Sequence, residues 1–337
     1  MKRFVTITVG IYAAGITTWW ILMLTAGDGI WWLALVNSFA AFLFSPLLVF
    51  VPLCILLKSK PVGFIAAAPL LIFVLIYGKL FVPKISNSPN SEEKSLTIMT
   101  FNVFGSVPAE ETAKAILNNG VIPDIVLLQE NTRKMTSLIL KSTQHHYTHV
   151  ALAPTNNSKG MGVLSRFPLR EIDVDHLLAP NWSIQAVEAD VQGETLTLFN
   201  VHPKATSAYT FARDKMRVSK EVNLSFKGRY DLFRKLMIDI EARMTPVIVG
   251  GDFNCTELSD VHRMLNKTLD DAHQTSGWSF GHTFPASNYY LAGMPIPTKL
   301  VRIDKIFYSE RISGDWCRVG KEAGKSNHYP VLARLIL

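Results

Sequence analysis

Three long apolar runs dominate the first 84 residues: Phe4–Gly27, Gly29–Leu57 and Pro61–Val82. The first two runs hold no charged residue, and the third holds only Lys79. An apolar stretch of about 18 or more residues is typical of a transmembrane helix. The pattern therefore predicts three spans, and Pro46 and Pro52 leave a kinked or re-entrant segment open for the second run.

The short loops on one side of the predicted spans carry four basic residues: Lys2, Arg3, Lys58 and Lys60. The first hairpin loop carries only Asp28. Because basic residues in short loops favour the inner side of a membrane, we predict the N-terminus and the Lys58 loop inside and the domain at 96–337 outside. Lys79 and Lys84 lie on the other side and oppose this orientation. A cleaved signal peptide does not fit, because the first run is too long and no small-residue cleavage site follows it.

A polar segment rich in Ser, Asn and Pro follows the apolar part at Ile85–Ser95 and is typical of a linker. Beyond it, strands are predicted at Leu96–Phe104, Asp124–Gln129, Gly162–Ser165, Ile184–Val191, Thr195–Val201, Pro246–Gly250, Arg302–Tyr308 and Pro330–Leu337. Helices are predicted at Ala109–Asn119, Thr132–Lys141, Tyr209–Lys220, Tyr230–Arg243 and Leu258–Asn266. The pattern thus predicts an anchor at 1–84, a linker at 85–95 and a mixed α/β domain at 96–337.

The net charge of +7 is distributed unevenly along the chain. Residues 1–85 hold six basic residues and one acid, so +5 belongs to the predicted anchor and only +2 to the remainder. Proteins that bind nucleic acid without specificity obtain most of their affinity from clustered Lys and Arg. The small charge of the domain therefore disfavours nucleic acid as its partner.

The three cysteines give little information. Cys54 lies in the second apolar run, whereas Cys255 and Cys317 belong to the predicted domain. A disulfide between Cys255 and Cys317 would be compatible with an extracytoplasmic domain, but the spacing does not establish it. Two small buried thiols are the favoured interpretation.

Six short polar motifs adjoin the strand-like runs of the domain: Thr100–Asn102, Gln129–Glu130, His202–Pro203, Gly251–Asn254, Arg302–Asp304 and Ser326–His328. Each motif contributes an acid, an amide or an imidazole, so together they predict a polar site at the edges of a buried sheet. Mg²⁺-assisted attack on a phosphoester needs this set of carboxylates, amides and histidines.

The order and wording of these motifs resemble the endonuclease/exonuclease/phosphatase superfamily, whose fold is that of pancreatic deoxyribonuclease. The sequences GGDFN (Gly250–Asn254) and SNHYPV (Ser326–Val331) are its specific pieces, and GMGVLSRFPL and GHTFP resemble the stretches between them. The resemblance runs from about Leu96 to Leu337. It implies an α/β, two-sheet β-sandwich flanked by helices, here preceded by about three transmembrane helices.

The resemblance also implies a role for each motif residue. Glu130 would be the principal ligand of Mg²⁺ (or Mn²⁺), supported by Asn102, whose carbonyl oxygen adds no charge. Asp252 would position or deprotonate the attacking water, and Asn254 would donate a hydrogen bond to the phosphate. A plain turn rich in Asp, Gly and Asn is the alternative for the last two residues.

His328 would be the catalytic histidine, with Asp304 as the carboxylate that fixes its tautomer and raises its basicity. Its cationic form would stabilise charge on the phosphate or assist the leaving group, and His202 would bind the phosphate from another side. A structural histidine is the alternative for each. The other histidines, including His145, His146 and His149, match no motif and are predicted to lie at the surface.

One position departs from the superfamily pattern: Asn327 stands where an Asp usually precedes the last His. In similar proteins that Asp lies near the metal, whereas the histidine is oriented by the residue that matches Asp304. The departure therefore leaves the His–Asp pair intact, implies a weaker metal site and disfavours a second metal.

The sequence predicts a membrane-anchored, divalent-metal-dependent phosphoesterase whose domain lies outside the cytoplasm and whose substrate could be lipid-linked. Its expected partners are the lipid bilayer and a phosphoester. A nuclease acting on DNA or RNA, and a catalytically weakened binding module, are the alternatives, because a fold does not fix a substrate.

Overall fold

The computed structural model describes residues 2–84, 93–177, 183–206, 215–286, 289–291 and 294–337. Most of the predicted linker, residues 85–92, lies outside these ranges. So do the first six residues of the predicted helix Tyr209–Lys220.

The N-terminal segment, residues 2–84, consists of helices joined by short loops. Its elements are α1 (Lys2–Ala26), α2 (Trp31–Ser38), a 3-10 helix (Ala40–Phe44), α3 (Leu47–Leu57), α4 (Lys60–Tyr77) and a second 3-10 helix (Gly78–Phe81). Three helical stretches are long and apolar enough to cross a membrane: Lys2–Ala26, Ala40–Leu57 and Lys60–Phe81. The second is shorter than the apolar run from Gly29, because that run begins with the separate helix α2.

The rest of the described chain, from residue 93 onward, forms the C-terminal domain. Its strands are β1 (Ser95–Asn102), β2 (Ile125–Gln129), β3 (His149–Ala153), β4 (Met161–Ser165), β5 (Leu169–Ile172), β6 (Ser183–Val191), β7 (Glu194–His202), β8 (Val247–Asp252), β9 (Leu269–Asp271), β10 (Tyr289–Leu291), β11 (Met294–Ile296), β12 (Asp304–Ser309), β13 (Ser313–Val319) and β14 (Val331–Ile336). Its helices are α5 (Glu110–Ala115), α6 (Arg133–Thr143), α7 (Lys215–Glu241), α8 (Asp260–Leu265) and α9 (Ala272–Ser276).

Two six-stranded mixed sheets, with strand orders β13-β14-β1-β2-β4-β3 and β5-β6-β7-β8-β12-β9, pack face to face. Ile98 and Leu127 of the first sheet share one buried cluster with Leu198 and Ile248 of the second. Because successive strand residues point to opposite faces, the intervening side chains face outward and meet the helices. The predicted two-sheet sandwich flanked by helices is thus confirmed.

Helix α7 is a single 27-residue helix where two separate helices were predicted. Gly228 lies inside it, and an interior glycine costs about 1 kcal/mol relative to alanine. Tertiary packing offsets this cost, since Val218, Val222 and Phe226 are buried against Ala34 of α2. The apolar residues beyond the glycine, such as Phe233, pack on the second sheet.

The N-terminal segment is packed directly on the domain. Asp28 and Asp260 exchange hydrogen bonds, each backbone N–H donating to the carboxylate of the other at 2.8 Å. At the second 3-10 helix, the Ser279 N–H donates to the carbonyl of Leu80 at 2.9 Å, and the ring of Phe280 lies 5.1 Å from that of Phe81. The helices and the domain therefore share an interface besides the covalent connection.

The basic loops lie at the opposite end of the helix bundle. Val5 and Val9, near the start of α1, pack with Val62 and Ala66 near the start of α4. The other end of α1 adjoins Asp28, which contacts the domain. At about 1.5 Å per residue, the 25 residues of α1 place Lys2 more than 30 Å from that contact.

Candidate active site

The strand directions explain why the polar motifs meet. The parallel pairs β1–β2 and β7–β8 bring four carboxyl ends to one edge of the sandwich. Strands β12 and β14 run antiparallel to β8 and β1, so their amino ends lie at the same edge. Each motif follows one of the parallel strands or precedes one of the antiparallel strands. The topology therefore gathers all six.

A buried polar layer joins the two sheets beneath this edge. The Gln129 side-chain amide donates to Thr100 Oγ1 at 3.0 Å and to Asn200 Oδ1 at 2.7 Å. The Asn200 amide donates in turn to the backbone carbonyl of Leu128 at 2.9 Å. Buried polar groups that satisfy one another fix the relative positions of their strands. This layer holds the ends of β1, β2 and β7 in register under the site.

Asp252 lies at the centre of the site and has a side chain that is only 2% exposed. Its Oδ2 accepts a hydrogen bond from Asn102 Nδ2 at 3.1 Å. The same oxygen lies 3.6 Å from His202 Nε2 and 3.8 Å from His328 Nε2. Its Oδ1 accepts from the backbone N–H of Asn254 at 2.9 Å. The carboxylate is thus held by the backbone on one side and open to two imidazoles on the other.

Glu130 faces the same group of side chains. Its Oε1 lies 3.3 Å from Asn102 Nδ2 and 3.8 Å from His202 Nε2. The φ of Glu130 is +55°, a left-handed conformation that is uncommon outside glycine and is concentrated at functional sites. Gly105 allows the chain to pass here, because a Cβ at that position would lie 2.1 Å from the Glu130 carbonyl oxygen.

His328 and Asp304 form a buried pair. Nδ1 of His328 lies 2.9 and 3.1 Å from the two oxygens of Asp304, so Nε2 is left to face Asp252. Burial opposes charge on the ring, but the carboxylates of Asp304, Asp252 and Glu130 outweigh it and raise the pKa of His328 to about 9. Burial also raises the pKa of Asp304. The two groups titrate as a pair that shares one proton between the ring and the carboxylate.

Two hydroxyl groups that position the site received no role from the sequence. Ser326 Oγ donates to the carbonyl of Asn102 at 2.7 Å and accepts from the backbone N–H of His328 at 3.0 Å. Thr283 Oγ1 accepts from the backbone N–H of Asp304 at 3.3 Å. Both residues belong to segments that carry the resemblance, SNHYPV and GHTFP, so the motifs themselves were the available signal.

Two asparagines are held differently from their predicted roles. The Asn254 amide donates to the carbonyl of Pro203 at 2.9 Å, and its contact with a phosphate stays a prediction. The Asn327 carbonyl accepts from the N–H of Ala286 at 2.7 Å, whereas its side-chain oxygen is buried without a hydrogen-bond partner among the described residues.

The prediction that the remaining histidines lie at the surface is wrong for His262 and His273, which are buried. His262 Nε2 lies 2.8 Å from Asp271, and that carboxylate also pairs with the buried Arg302 at 2.8 Å. Burial lowers the pKa of His262 to about 4. Arg302 therefore pairs with Asp271 and takes no part in the site, although Asp304 of the same motif does. The cysteines Cys54, Cys255 and Cys317 are free, and the last two are buried.

The donor set fits a hard divalent cation. Glu130 and Asp252 present carboxylate oxygens to one space, and such ions prefer oxygen ligands. Asn102 turns its amide N–H groups toward these carboxylates, and its oxygen accepts from the N–H of Phe104 at 3.0 Å, so ligation by that oxygen would require the side-chain amide to rotate. Asp252, Asp304 and His328 also place ligand atoms within 4.8 Å of one another. In that cluster, however, His328 and Asp304 satisfy each other, so the Glu130 side of the site is the better fit.

Several solved structures share the fold of this chain. TDP2 from Caenorhabditis elegans, in a truncated form, is 17% identical with a TM-score of 0.51, covering 72% of this chain and 98% of its own. An endonuclease/exonuclease/phosphatase from Beutenbergia cavernae is 18% identical with a TM-score of 0.52, covering 72% of each chain. TDP2 from D. rerio, solved with a single-strand DNA product, is 14% identical with a TM-score of 0.52, covering 72% of this chain and 99% of its own.

These likenesses concern the fold, and no curated protein sequence matches the chain significantly. The family itself is shown by a sequence profile that matches residues 99–328, which is more than half of the chain. Members of this family are phosphoesterases or nucleases that depend on divalent metals. The chain belongs to the endonuclease/exonuclease/phosphatase family.

Proposed function

We propose that the protein is a membrane-anchored, divalent-metal-dependent phosphoesterase that cleaves a phosphoester by attack of water. The observation that carries this proposal is the convergence of Asn102, His202 and His328 on Asp252, with Glu130 facing the same space. Two carboxylates and two imidazoles that face one space can together bind a metal ion, a water molecule and a phosphate close to one another.

Mg²⁺ or Mn²⁺ is the proposed metal, with Glu130 and Asn102 as its ligands. When bound, the ion would polarise a phosphoryl oxygen and offset its negative charge.

The chain supplies the proton transfers. Asp252 orients the attacking water and accepts its proton as the oxygen bonds to phosphorus. The ester P–O bond then breaks, and the departing oxygen takes a proton from Nε2 of His328, which its partner Asp304 helps to keep charged. His202 and Asn254 are proposed to bind the phosphate oxygens.

The test of this function is an assay of the purified full chain in detergent with bis-p-nitrophenyl phosphate. Exhaustive EDTA treatment should abolish hydrolysis, and Mg²⁺ or Mn²⁺ should restore it. Glu130→Ala should raise the metal concentration needed for half-maximal activity by about 10- to 100-fold. Glu310→Ala is the matched control, because Glu310 is exposed just past the end of β12 remote from the site. Full activity after EDTA treatment would overturn the proposal.

Anchoring and orientation are further parts of the proposal. Three helices are apolar enough to span, and the basic residues Lys2 and Lys58 lie at the end of the bundle remote from the domain. By the preference of basic loops for the inner side, the domain would be extracytoplasmic. An alkaline phosphatase reporter fused after Leu337 should therefore be active, and a fluorescent protein that folds only in the cytoplasm should stay dark. The reverse pattern would mean a cytoplasmic active site.

Asn327→Asp should lower the metal concentration needed for half-maximal activity. A negative charge within a few ångströms of a divalent ion strengthens its binding even when partly screened. Metal titrations of the wild type and the variant provide the measurement, and thermal melts check that a new charge at this partly buried position is tolerated. An unchanged titration in a folded variant would place residue 327 too far from the ion to matter.

A nuclease is the second candidate, because the D. rerio TDP2 structure contains a single-strand DNA product. The charge of only about +2 outside the anchor opposes it. Cleavage of single-stranded DNA at a higher kcat/KM than a small phosphodiester would favour this candidate.

A further inference from the structure

A cavity of about 800 Å³ lies between the helix bundle and the C-terminal domain. Its walls come from both partners and are mostly apolar: Leu47, Leu48 and Val51 of α3, Leu70 and Phe73 of α4, and Phe280 of the domain. Among the polar lining residues, His282, Thr298 and Lys299 come from the domain and Ser45 from the bundle. Most of the polar lining, and its lysine and histidine, thus lies on the domain side.

The apolar wall continues onto the outer surface of the helices. Leu48 is 80% exposed and Leu70 is 41% exposed. Both belong to the proposed membrane spans, whose mean hydropathy is 2.6 and 2.2. If these helices cross the bilayer, the cavity opens to lipid. We therefore expect a hydrocarbon chain, rather than a water-soluble molecule, to bind in it.

The volume is suited to a single hydrocarbon chain. If each methylene takes roughly the 30 Å³ that a water molecule occupies in the liquid, a 16-carbon chain needs about 500 Å³. The cavity of about 800 Å³ accommodates such a chain. A diacyl lipid that inserted one chain would leave the other in the bilayer.

A residue of the cavity lining lies two positions along the chain from a residue that contacts His328. His282 lines the cavity, and Phe284, two residues along the chain, places its ring 4.8 Å from that of His328. Two residues of extended chain span about 7 Å. The segment is held in place because its carbonyl at Phe284 accepts from the N–H groups of Leu300 and Val301 at 2.8 and 3.0 Å. One short stretch of backbone thus joins the cavity wall to the active site.

Lys299 supplies a positive charge between the cavity and the active site. It lines the cavity, and its Nζ lies 4.6 Å from the centre of the Tyr329 ring, directly next to His328 in sequence. The backbone of Lys299 is held at both of its polar groups. Its N–H donates to the carbonyl of Pro285, and its own carbonyl oxygen lies 2.8 Å from His282 Nδ1. A lysine in this position can pair with the phosphate of a lipid whose chain fills the cavity.

We propose that the cavity binds one fatty-acyl chain of a glycerophospholipid and presents the phosphodiester of that lipid to the active site. This inference rests on the proposed function and names its substrate class.

The kinetic test compares two substrates of the full chain in mixed micelles: dioleoylphosphatidylglycerol and bis-p-nitrophenyl phosphate. Ser45→Trp fills the cavity from an exposed lining position remote from the catalytic groups. It should lower kcat/KM for the lipid by roughly 10- to 100-fold and leave the soluble substrate unaffected. Thr18→Trp, at an exposed position of α1 outside the cavity, is the matched control and should change neither. Equal effects of the two variants on the lipid would overturn the inference.

A second measurement does not depend on hydrolysis. Phosphatidylglycerol with a diazirine near the end of one acyl chain should crosslink to residues 41–52 and 297–300 of the wild type, and Ser45→Trp should remove this labelling. Labelling confined to the outer face of α1 would overturn the inference. If the soluble substrate is cleaved but the lipid is not, the inference fails and the phosphoesterase stands. If neither is cleaved, the proposed function fails, and specific crosslinking would still establish the lipid site.

Discussion

Asp252→Asn should lower kcat for phosphoester hydrolysis by about 10³-fold, the range observed when a general base is removed. The amide has the shape of the carboxylate but cannot accept the proton of the attacking water. The hydrogen bond from the Asn254 N–H to Oδ1 can be kept, so the turn should fold as before. Steady-state rates at saturating metal provide the measurement.

Asp270→Asn is the matched control, because Asp270 is an exposed aspartate of β9 that lies opposite Tyr308, four residues along β12 from Asp304. It should change kcat by less than twofold, and both variants should melt within a few degrees of the wild type. A folded Asp252→Asn protein with wild-type kcat would remove Asp252 from the proton transfer.

Asp304→Asn should lower kcat at pH 7 by about 10²-fold and move the alkaline limb of the pH profile to lower pH. In the wild type, the pKa of His328 is about 9, so its cationic form persists to that pH and the rate should fall above it. Without the Asp304 carboxylate the pKa of the ring falls, and the proton is lost earlier. Rates measured from pH 6 to 10 would detect the movement.

The double variant with His328→Gln provides the control. Because Asp304 acts through the ring, the double variant should be no slower than His328→Gln alone. A further loss in the double variant would give Asp304 a role of its own. The pair should also affect stability: since the pKa of His328 is raised above its ordinary value of 6.5, its contribution is complete below that pH and is lost as pH rises through about 9.

The eight predicted strands are the eight inner strands of the two sheets. Of the six described strands that the sequence did not reveal, β13, β3, β5 and β9 are the four edges of these sheets, and β10 and β11 form a separate two-stranded sheet. Inner strands are covered on both faces and therefore appear as continuous apolar runs. The edge strands β3, β5 and β9 have only three to five residues, and the LREI of β5 and the LDD of β9 mix charged with apolar residues. Such a pattern is hard to distinguish from that of a loop.

The site residues were predictable for a related reason. Each stands at the end of an inner strand, where an apolar run stops at an acid, an amide or a histidine. The parts that were missed depend on contacts between distant segments. Buried His262 has Asp271 as its partner, and Asp271 also pairs with Arg302. Helix α7 continues through Gly228 because α2 covers its first half. Periodicity within one segment carries no information about such partners.

The interface between the bundle and the domain changes what counts as a usable fragment of this protein. Cutting the chain between residues 85 and 92 would remove the covering of Val218, Val222 and Phe280 and expose these side chains to water. It would also strip the Asp260 carboxylate of the N–H group of Asp28. The truncated domain would thus expose a new apolar surface and would tend to aggregate. A preparation that retains the helices, in detergent or in a lipid disc, is therefore the form in which the kinetics of the enzyme should be measured.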